Sequence, residues 1–251
     1  MSNQEFMIVA HRGASFYAPE NTMASVKLAW EQGADAVEVD VHLSKDGHAV
    51  VIHDDNTLRT ASVDKMVKEQ TLSELKALDV GRWKGTRWHD EHIPTLKEVI
   101  EIIPDNKKIF IEVKGGPACL PVIRKVIDSC EILLRQVTIM DFDIDTMIMA
   151  KEQCPGFNIL WLVEYENRLT KNTAKSLFEE ILDKAAAAGV DGINLQATDL
   201  IDAVFIDKAR ETDLDCFVWT VNDADLSRYF KRIGLSGVTT DRPAWIRSQL
   251  V

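Results

Sequence analysis

The sequence predicts a single (β/α)8 barrel, a TIM barrel of the α/β class. Short apolar segments rich in β-branched residues alternate with longer segments of helical periodicity along the chain. Eight such units of roughly 20–35 residues account for the 251 residues, as a closed barrel requires. A doubly wound open sheet is the structural alternative, but no Gly-x-Gly-x-x-Gly motif follows the first predicted strand. We therefore favour the barrel.

The predicted strands are short and apolar, and most are followed by polar or turn-forming residues. In chain order they are Phe6–Ala10, Ala36–Val41, Ile109–Val113, Val137–Met140, Ile159–Val163, Gly192–Leu195, Phe217–Val221 and Gly237–Thr240. The segments between them repeat apolar residues three and four apart, which is typical of helices that cover a sheet. These predicted helices are Thr22–Gln32, Thr95–Ile103, Pro121–Leu134, Ile144–Gln153, Lys171–Ala188, Ile201–Ala209, Ala224–Ile233 and Ala244–Leu250.

One interval is too long for a simple barrel unit. About 70 residues separate the second predicted strand from the third, where a bare unit needs roughly half that number. Asp46-Gly47 lies between two alternating segments and predicts a β-hairpin. Ser73 is the expected N-cap of a short helix that runs from Glu74 to Leu78. We therefore expect residues 43–94 to form a small insertion over the barrel mouth, within one domain that spans residues 1–251.

Composition limits the classes of partner. The chain has 40 Asp plus Glu against 29 Lys plus Arg, a net charge of −11, which disfavours binding to nucleic acid or to anionic membranes. The first residues lack the basic and apolar regions of a signal peptide, and the four cysteines are scattered. We therefore expect a cytoplasmic protein without a stable membrane association, in which the cysteines are small buried apolar residues.

Acidic residues lie in the strands whose ends should form the mouth of the barrel. Alternation places Glu38 and Asp40 on one side of the second strand, and Glu112 and Lys114 on one side of the third. Carboxylates that converge raise each other's pKa unless one is protonated or a cation lies between them. Oxygen ligands of this kind suit Mg²⁺ or Ca²⁺ better than Zn²⁺. The alternative is that the glutamates form ion pairs with Lys114 or Arg12 and hold no metal.

Histidines and one tryptophan are further candidates. His11 follows the first strand and His53 follows the second strand of the hairpin, and such a pair beside a metal would suit acid–base catalysis. Each of them alone would more often be structural. His42 is in phase with the carboxylates and is a weaker candidate. Trp219 lies in the seventh strand, where it either fills the core or offers a flat apolar wall to a ligand.

Two short motifs predict the starts of helices. Asn21-Thr22 precedes a segment of helical periodicity, and this pair predicts N-cap chemistry that also fixes the loop carrying His11. Asp241 with Pro243 is interpreted in the same way, with proline near the first helical position. Glu20 is expected to form a hydrogen bond or an ion pair within the mouth.

Taken together, these motifs resemble those of the glycerophosphodiester phosphodiesterases. The resemblance extends over nearly the whole chain and keeps the family's order. It rests on His11-Arg-Gly-Ala14, Pro19-Glu20-Asn21-Thr22, Glu38-Val-Asp40, Lys45-Asp-Gly47, His53-Asp54, Ile111-Glu112-Val-Lys114, Trp219-Thr-Val-Asn222 and Thr240-Asp241-Arg242-Pro243. One departure is Ala61, where the family often repeats threonine.

The resemblance implies both a reaction and the roles of residues. The family cleaves glycerophosphodiesters, which are small molecules, to sn-glycerol 3-phosphate and an alcohol. It implies a divalent metal ion, Mg²⁺ or Ca²⁺, held by three carboxylates, and two histidines as the acid–base pair. The metal ligands so implied are Glu38, Asp40 and Glu112, the acid–base pair is His11 and His53, and the expected substrate-binding residues are Arg12, Lys114 and Trp219. The resemblance suggests the 2-hydroxyl of the glycerol as nucleophile, with direct attack by metal-bound water as the competing mechanism.

Three other functions fit part of the pattern. A lysophospholipase D-like lipid phosphodiesterase would favour an exposed apolar rim. A non-catalytic module that binds glycerol phosphates would be expected to have lost a carboxylate or a histidine. A metal-free barrel isomerase would not need three clustered acids. The preferred head group and the choice between a monomer and a homodimer stay open.

Overall fold

The computed structural model describes residues 6–165 and 169–250, and they form a closed barrel of eight parallel strands. The first strand pairs with both the second and the last, which closes the sheet. The barrel prediction is therefore confirmed. The strands are β1 (Met7–Ala10), β2 (Ala36–Leu43), β3 (Ala49–Val51), β4 (Lys108–Val113), β5 (Val137–Asp141), β6 (Asn158–Val163), β7 (Gly192–Gln196), β8 (Asp215–Trp219) and β9 (Gly237–Thr240); β3 lies outside the barrel and pairs antiparallel with β2.

Helices follow the strands, and those outside residues 43–94 form the outer layer. They are α1 (Met23–Glu31), α2 (Leu58–Ala61), α3 (Leu72–Lys76), α4 (Leu96–Ile100), α5 (Cys119–Asp128), α6 (Ile144–Gln153), α7 (Lys171–Ala188), α8 (Ala203–Glu211), α9 (Ala224–Ile233) and α10 (Pro243–Gln249). The bounds of α6, α7 and α9 are those predicted from periodicity. Strand β8 ends at Trp219, two residues before its predicted end. Trp219 is therefore the last strand residue and lies at the mouth.

Alternation along the strands divides the apolar side chains into two layers. Side chains such as Val37, Val39 and Ile111 point outward and pack against the helices. The side chains of Val9, Phe110 and others point inward and fill the barrel. Because the period is two, Glu38 and Asp40 share the inward side of β2 with Ala36, and the acidic side chains have no route to solvent except through the mouth.

The long interval between β2 and β4 folds as a hairpin followed by short helices. Asp46-Gly47 forms the turn between β2 and β3, as predicted. Residues 43–94 have an apolar cluster of their own, whose buried members are Val50, Ile52, Val67, Leu75, Val80 and Ile93. Lys84 Nζ and Arg87 Nη2 donate hydrogen bonds of 2.7 and 3.0 Å to the carbonyl oxygens of Ser15 and Tyr17, which lie in the loop between β1 and α1. The insertion is thus attached to the loop that follows His11.

The short helix α3 begins earlier than predicted. Its N-cap is Thr71, not Ser73. The Thr71 hydroxyl accepts from the backbone N–H of Glu74, and the Glu74 carboxylate accepts from the backbone N–H of Thr71. This reciprocal pair satisfies two backbone donors, which a cap at Ser73 would not have done.

Two general expectations concern the surface and the cysteines. Among the described residues, we find no helix with the length and apolar content that a membrane crossing requires. All four cysteines are free thiols; Cys119, Cys154 and Cys216 are buried, as expected, whereas Cys130 is only half-buried.

Candidate active site

Three carboxylates converge at the mouth because β2 and β4 are neighbours in register. Asp40 is paired with Glu112 across the two strands, and Glu38 lies two residues before Asp40 on the same side. One ligand oxygen from each of the three side chains lies within 4.8 Å of the other two. The relative exposures are 1% for Glu38, 0% for Asp40 and 8% for Glu112, so these acids are withdrawn from water. The cluster predicted from alternation is present.

Burial and mutual repulsion perturb the protonation of the cluster. Burial, together with the charges of Asp40 and Glu112, raises the pKa of Glu38 well above its usual value. Burial and the charge of Asp40 raise the pKa of Glu112 to about 7. Burial alone would also raise the pKa of Asp40, but the positive charges of Arg12 and Lys114 bring it below its ordinary value. Additional positive charge beside the cluster would therefore favour the form in which all three acids are ionised.

Ion pairs account for only part of this cluster. Lys114 Nζ lies 2.6 Å from Glu112 Oε1, and Arg12 Nε lies 3.2 Å from Asp40 Oδ2. Glu38 Oε2 accepts a hydrogen bond of 2.9 Å from the backbone N–H of Arg12. The other oxygen, Oε1, is buried without a hydrogen-bond partner in the described part of the chain. A buried carboxylate oxygen without a partner, beside two further acids, is a ligand that a hard divalent cation would bind. The residues present therefore fit such an ion.

The turn after β1 places Arg12 over the carboxylates. Arg12 has φ 53° and Gly13 has φ 79°, so the chain reverses direction directly after His11. The hydroxyl of Ser25 and the backbone N–H of Asn21 both donate to the carbonyl oxygen of Arg12, at 2.9 and 3.0 Å. A Cβ added at Gly13 would lie 2.5 Å from the backbone of Ser25. Glycine is therefore required here, both by the left-handed conformation and by the close approach of α1.

Asn21 acts on the carboxylates and not as a helix cap. The N-cap of α1 is Thr22. The side-chain amide of Asn21 donates to Asp40 Oδ2 at 2.7 Å, and its oxygen accepts from the backbone N–H of Asp40 at 3.3 Å. Asn21 thus fixes the orientation of the most deeply buried acid.

Each of the two candidate histidines is bonded to an aspartate. His11 Nδ1 lies 2.7 Å from Asp241 Oδ1, and His53 Nδ1 lies 2.7 Å from Asp54 Oδ1. An ionised carboxylate only accepts hydrogen bonds, so each Nδ1 carries the proton and, in the neutral ring, each Nε2 carries a lone pair. Burial lowers the pKa of His53 below its ordinary value, although Asp40 and Asp54 act in the opposite direction. Each imidazole is thus oriented through Nδ1 by its own aspartate, that of His11 after β9 and that of His53 in the interval between β3 and β4.

The interpretation of Asp241 as a helix start was incomplete. The N-cap of α10 is Arg242, which makes no side-chain cap bond, and Pro243 stands at the start of the helix as predicted. The Asp241 carboxylate instead accepts from His11, from Ser15 Oγ at 3.0 Å and from Asn222 Nδ2 at 2.6 Å. Burial would raise the pKa of Asp241, but these donors lower it to about 2.

A chain of ion pairs joins Arg12 to His53. Glu20 accepts from Arg12 Nη1 at 3.0 Å and from both terminal nitrogens of Arg59, at 2.9 and 2.8 Å. Arg59 Nε donates in turn to Asp54 Oδ2 at 2.7 Å. This network bears out the expectation that Glu20 forms ion pairs in the mouth. It also couples the orientation of His53 to helix α2 of the insertion.

These groups surround one cavity of about 300 Å³. Its lining comprises His11, Arg12, Glu38, His53, Glu112, Lys114, Met140, Phe142, Leu162, Glu164, Asn194, Trp219 and Thr239. Seven of the eight site residues predicted from the sequence are in this lining, while Asp40 lies fully buried against Arg12 and Lys114. His42 is directed elsewhere: its Nε2 bonds to the carbonyl oxygen of His53 at 3.1 Å.

Sequence analysis missed several residues of this site. Asp54 and Asp241 each lie inside a recognised motif. The available signal was that Asp54 directly follows His53 and that Asp241 lies two residues before Pro243. Arg59 had no local signal, because its partners are Glu20 and Asp54 in different segments. Asn194 and Thr239 are small polar residues within short, buried strands, and nothing in the sequence distinguished them from core residues.

Comparisons with known proteins agree with this geometry. Residues 11–245 match the model of the glycerophosphoryl diester phosphodiesterase family. A glycerophosphodiester phosphodiesterase of Caldanaerobacter subterraneus subsp. tengcongensis is 34% identical over 247 residues, which cover 94% of this chain and 94% of that protein. A glycerophosphodiester phosphodiesterase of Bacillus subtilis is 29% identical over 262 residues, covering 97% of this chain and 86% of that protein.

Solved structures show the same relationship. A phosphodiesterase of Oleispira antarctica, solved in complex with its product sn-glycerol 3-phosphate, is 28% identical, with a TM-score of 0.83. The match covers 97% of this chain and 96% of that one. A glycerophosphodiester phosphodiesterase of Thermotoga maritima is 27% identical with a TM-score of 0.77, covering 97% and 98% of the two chains.

Proposed function

The chain belongs to the glycerophosphoryl diester phosphodiesterase family, and we propose that its cavity carries out the family's reaction with a divalent cation and two histidines. The protein hydrolyses glycerophosphodiesters to sn-glycerol 3-phosphate and an alcohol. One observation carries the catalytic proposal. Two imidazoles, each oriented by an aspartate, line the same cavity as Glu38, Glu112 and Arg12.

We propose that Glu38, Asp40 and Glu112 hold the cation, Mg²⁺ or Ca²⁺. Their oxygen-only donor set, the proximity of the three side chains and the unpartnered Glu38 Oε1 support this assignment. When bound, such an ion stabilises the negative charge that develops on the phosphoryl oxygens. Asn21 and Arg12 keep Asp40 in place from the protein side.

Positive side chains bind the phosphodiester. A phosphodiester carries one negative charge, and a protein with a net charge of −11 repels it weakly at long range. Arg12 and Lys114 line the cavity and supply local positive charge. We propose that they orient the phosphate and stabilise the transition state through charge-assisted hydrogen bonds.

The histidines move the protons. As a nucleophile forms its bond to phosphorus, one imidazole accepts the nucleophile's proton at Nε2. As the bond between phosphorus and the leaving oxygen breaks, the other imidazole, in its protonated form, donates to that oxygen and the alcohol leaves. Asp54 and Asp241 stabilise the imidazolium that exists at each stage, because each accepts the Nδ1 proton. Both histidines are therefore needed in one turnover.

The nucleophile is the point at which two mechanisms differ. We propose that the 2-hydroxyl of the glycerol attacks first and gives a cyclic phosphate, which water then opens. Phosphorus-31 NMR during turnover would reveal the cyclic species, and oxygen-18 from water would enter the product only in the second step. Incorporation of the label with no cyclic species, under single-turnover sampling, would favour direct attack by water.

The decisive experiment is release of sn-glycerol 3-phosphate from glycerophosphocholine, glycerophosphoethanolamine and glycerophosphoglycerol. We expect EDTA to abolish the release and one of Mg²⁺ or Ca²⁺ to restore it. His11→Ala and His53→Ala should each lose at least about a hundredfold in kcat, within the range that a general acid or base contributes. His48→Ala is the matched control, since His48 lies in the hairpin turn with its side chain 53% exposed. Near-native turnover by either active-site variant, with cation bound and fold intact, would refute the assignment.

Residues 43–94 are proposed as a cap over the mouth. The support is the attachment of Lys84 and Arg87 to the loop after His11, and the contribution of Arg59 to the His53 network. The cytoplasmic location and the monomeric or homodimeric state stay predictions.

A further inference from the structure

Two polar side chains on the floor of the cavity have no part in the proton transfers or the cation site. Asn194 on β7 is 0% exposed, Thr239 on β9 is 1% exposed, and both line the cavity. Within residues 6–165 and 169–250, neither Asn194 Oδ1 nor Thr239 Oγ1 has a hydrogen-bond partner. An unpartnered buried polar atom costs about 1–3 kcal/mol, so two of them facing one cavity require an explanation.

The surroundings of these two side chains are otherwise apolar. Met140 and Leu162 complete the floor. The amide nitrogen of Asn194 contacts only a weak acceptor, Met140 Sδ, at 3.6 Å. The indole N–H of Trp219 donates to the backbone oxygen of Asn194 at 3.2 Å, which ties this residue to the aromatic wall of the cavity. The amide is thus held in place while its polar end remains available to a ligand.

The two ends of the cavity differ in chemistry. At the open end, Phe142 is 38% exposed and stacks edge-on against Trp219 with ring centroids 5.5 Å apart, and Glu164 lies nearby in the lining. At the closed end, the fixed floor presents an amide oxygen, which accepts a hydrogen bond, and a hydroxyl, which both donates and accepts. A closed polar floor suits the part common to all substrates, whereas an open aromatic rim suits a head group that varies.

We propose that Asn194 and Thr239 form a hydroxyl-binding subsite that receives the glycerol end of the substrate. The inference rests on the proposed function and adds a specificity to it. The terminal hydroxyl of the glycerol, the one remote from the phosphate, donates to Asn194 Oδ1 and accepts from Thr239 Oγ1. A site built to bond a substrate hydroxyl discriminates against the analogue that lacks it, because its own buried polar groups then stay unpaired. The subsite therefore selects diesters of a triol over diesters of a simple diol.

The test compares two substrates that differ in one hydroxyl. Glycerophosphocholine carries the terminal hydroxyl, and (2-hydroxypropyl)phosphocholine lacks it but keeps the vicinal hydroxyl and the phosphodiester. We expect the unaltered enzyme to favour glycerophosphocholine by at least about tenfold in kcat/KM. Asn194→Leu and Thr239→Val keep the side-chain size and remove the hydrogen bond. Each should lower kcat/KM for glycerophosphocholine by about tenfold and leave the value for the analogue nearly unchanged.

Thr138→Val is the matched control, since Thr138 is buried on β5, two residues before Met140 and below the floor. Equal losses on both substrates, or no preference in the unaltered enzyme, would overturn the subsite. A second measurement does not depend on the folding of any variant. Calorimetric titration of the unaltered protein with sn-glycerol 3-phosphate and with 2-hydroxypropyl phosphate should show weaker binding of the latter, and equal affinities would overturn the proposal. Absence of turnover with both diesters would instead contradict the proposed function, and the calorimetric comparison would still decide the subsite.

Discussion

Replacing Asp241 by asparagine should reduce turnover by disturbing the tautomer of His11. The substitution keeps the shape of the side chain and removes its charge. In the native protein, Asp241 Oδ1 accepts from His11 Nδ1 at 2.7 Å and from Ser15 Oγ at 3.0 Å, while Oδ2 accepts from Asn222 Nδ2 at 2.6 Å. All three neighbours are donors, so an amide at position 241 must place its NH₂ group against one of them.

Neither orientation of that amide is satisfactory. If its oxygen stays on His11, its NH₂ group faces the NH₂ group of Asn222. Asn222 cannot turn to relieve this, because its own oxygen accepts from Thr240 Oγ1 at 2.9 Å and from the backbone N–H of residue 241 at 3.0 Å. If the new amide turns instead, it donates to His11 Nδ1 and favours the tautomer with the proton on Nε2. A hydrogen bond to a charged group is worth about 1.5–3 kcal/mol, which corresponds to a loss in kcat of about ten- to 150-fold.

The assay is steady-state release of sn-glycerol 3-phosphate by the single variants and the double variant. We expect Asp241→Asn to lower kcat more than it raises KM, with the cation affinity unchanged. In the His11→Ala background the same substitution should have little further effect, because its path to the substrate has been removed. Asp105→Asn, at an exposed position, is the matched control. A fully active Asp241→Asn enzyme, or losses that add in the double variant, would refute this reasoning.

Three further outcomes follow from the same contacts. Gly13→Ala should lower the free energy of unfolding by more than about 2 kcal/mol, because a Cβ there meets the backbone of α1 at 2.5 Å. Gly47→Ala, with φ 81° and no atom within 4 Å, should lower it by only about 1 kcal/mol. Urea denaturation measures both, and equal losses would contradict the close approach at Gly13. Glu38→Gln should be at least as stable as the parent in EDTA, since burial raises the pKa of that acid. Cation at a hundred times its Kd should raise the unfolding free energy of the parent by about 2.7 kcal/mol, and the variant should lose this rise. The control Glu101→Gln should keep it, and a Glu38→Gln protein that also kept it would exclude Glu38 as a ligand. Because the pKa of Asp241 is lowered to about 2, its contribution to stability, about 2 kcal/mol, is present above about pH 4 and is lost as pH falls through 2. The difference in unfolding free energy between the parent and Asp241→Asn should therefore close over that range in an acid titration. A constant difference would contradict the pKa shift.

The network from Arg12 to His53 shows why the insertion and the barrel are examined together. Arg59 belongs to the insertion, yet it orients Asp54 and, through Glu20, the arginine that lies beside the carboxylate cluster. A side chain that bonds two acids in different segments holds both in place. The insertion therefore helps to orient side chains that border the cavity, among them His53, its one candidate acid–base residue in the described part of the chain.

Local patterns predicted the elements and misjudged some of their residues. Thr22 caps α1 as the motif indicated, but Asn21 beside it bonds to Asp40 on a different strand. Pro243 begins α10 as expected, but Asp241 bonds to His11, 230 positions away in the chain. A short polar side chain near a helix start satisfies whichever donors lie closest in space, and for both residues these are not local.

The sequence by itself determined the barrel and which acidic side chains converge at its mouth. Strand alternation decides which residues of β2 and β4 face inward, and sequential pairing of parallel strands then brings Glu38, Asp40 and Glu112 together. Tertiary structure alone decided which partners orient the histidines and which polar groups of the floor remain unpaired. The pairing of His11 with Asp241 depends on the closure of β9 against β1, because a contact between residues 230 positions apart leaves no periodic signal in the chain.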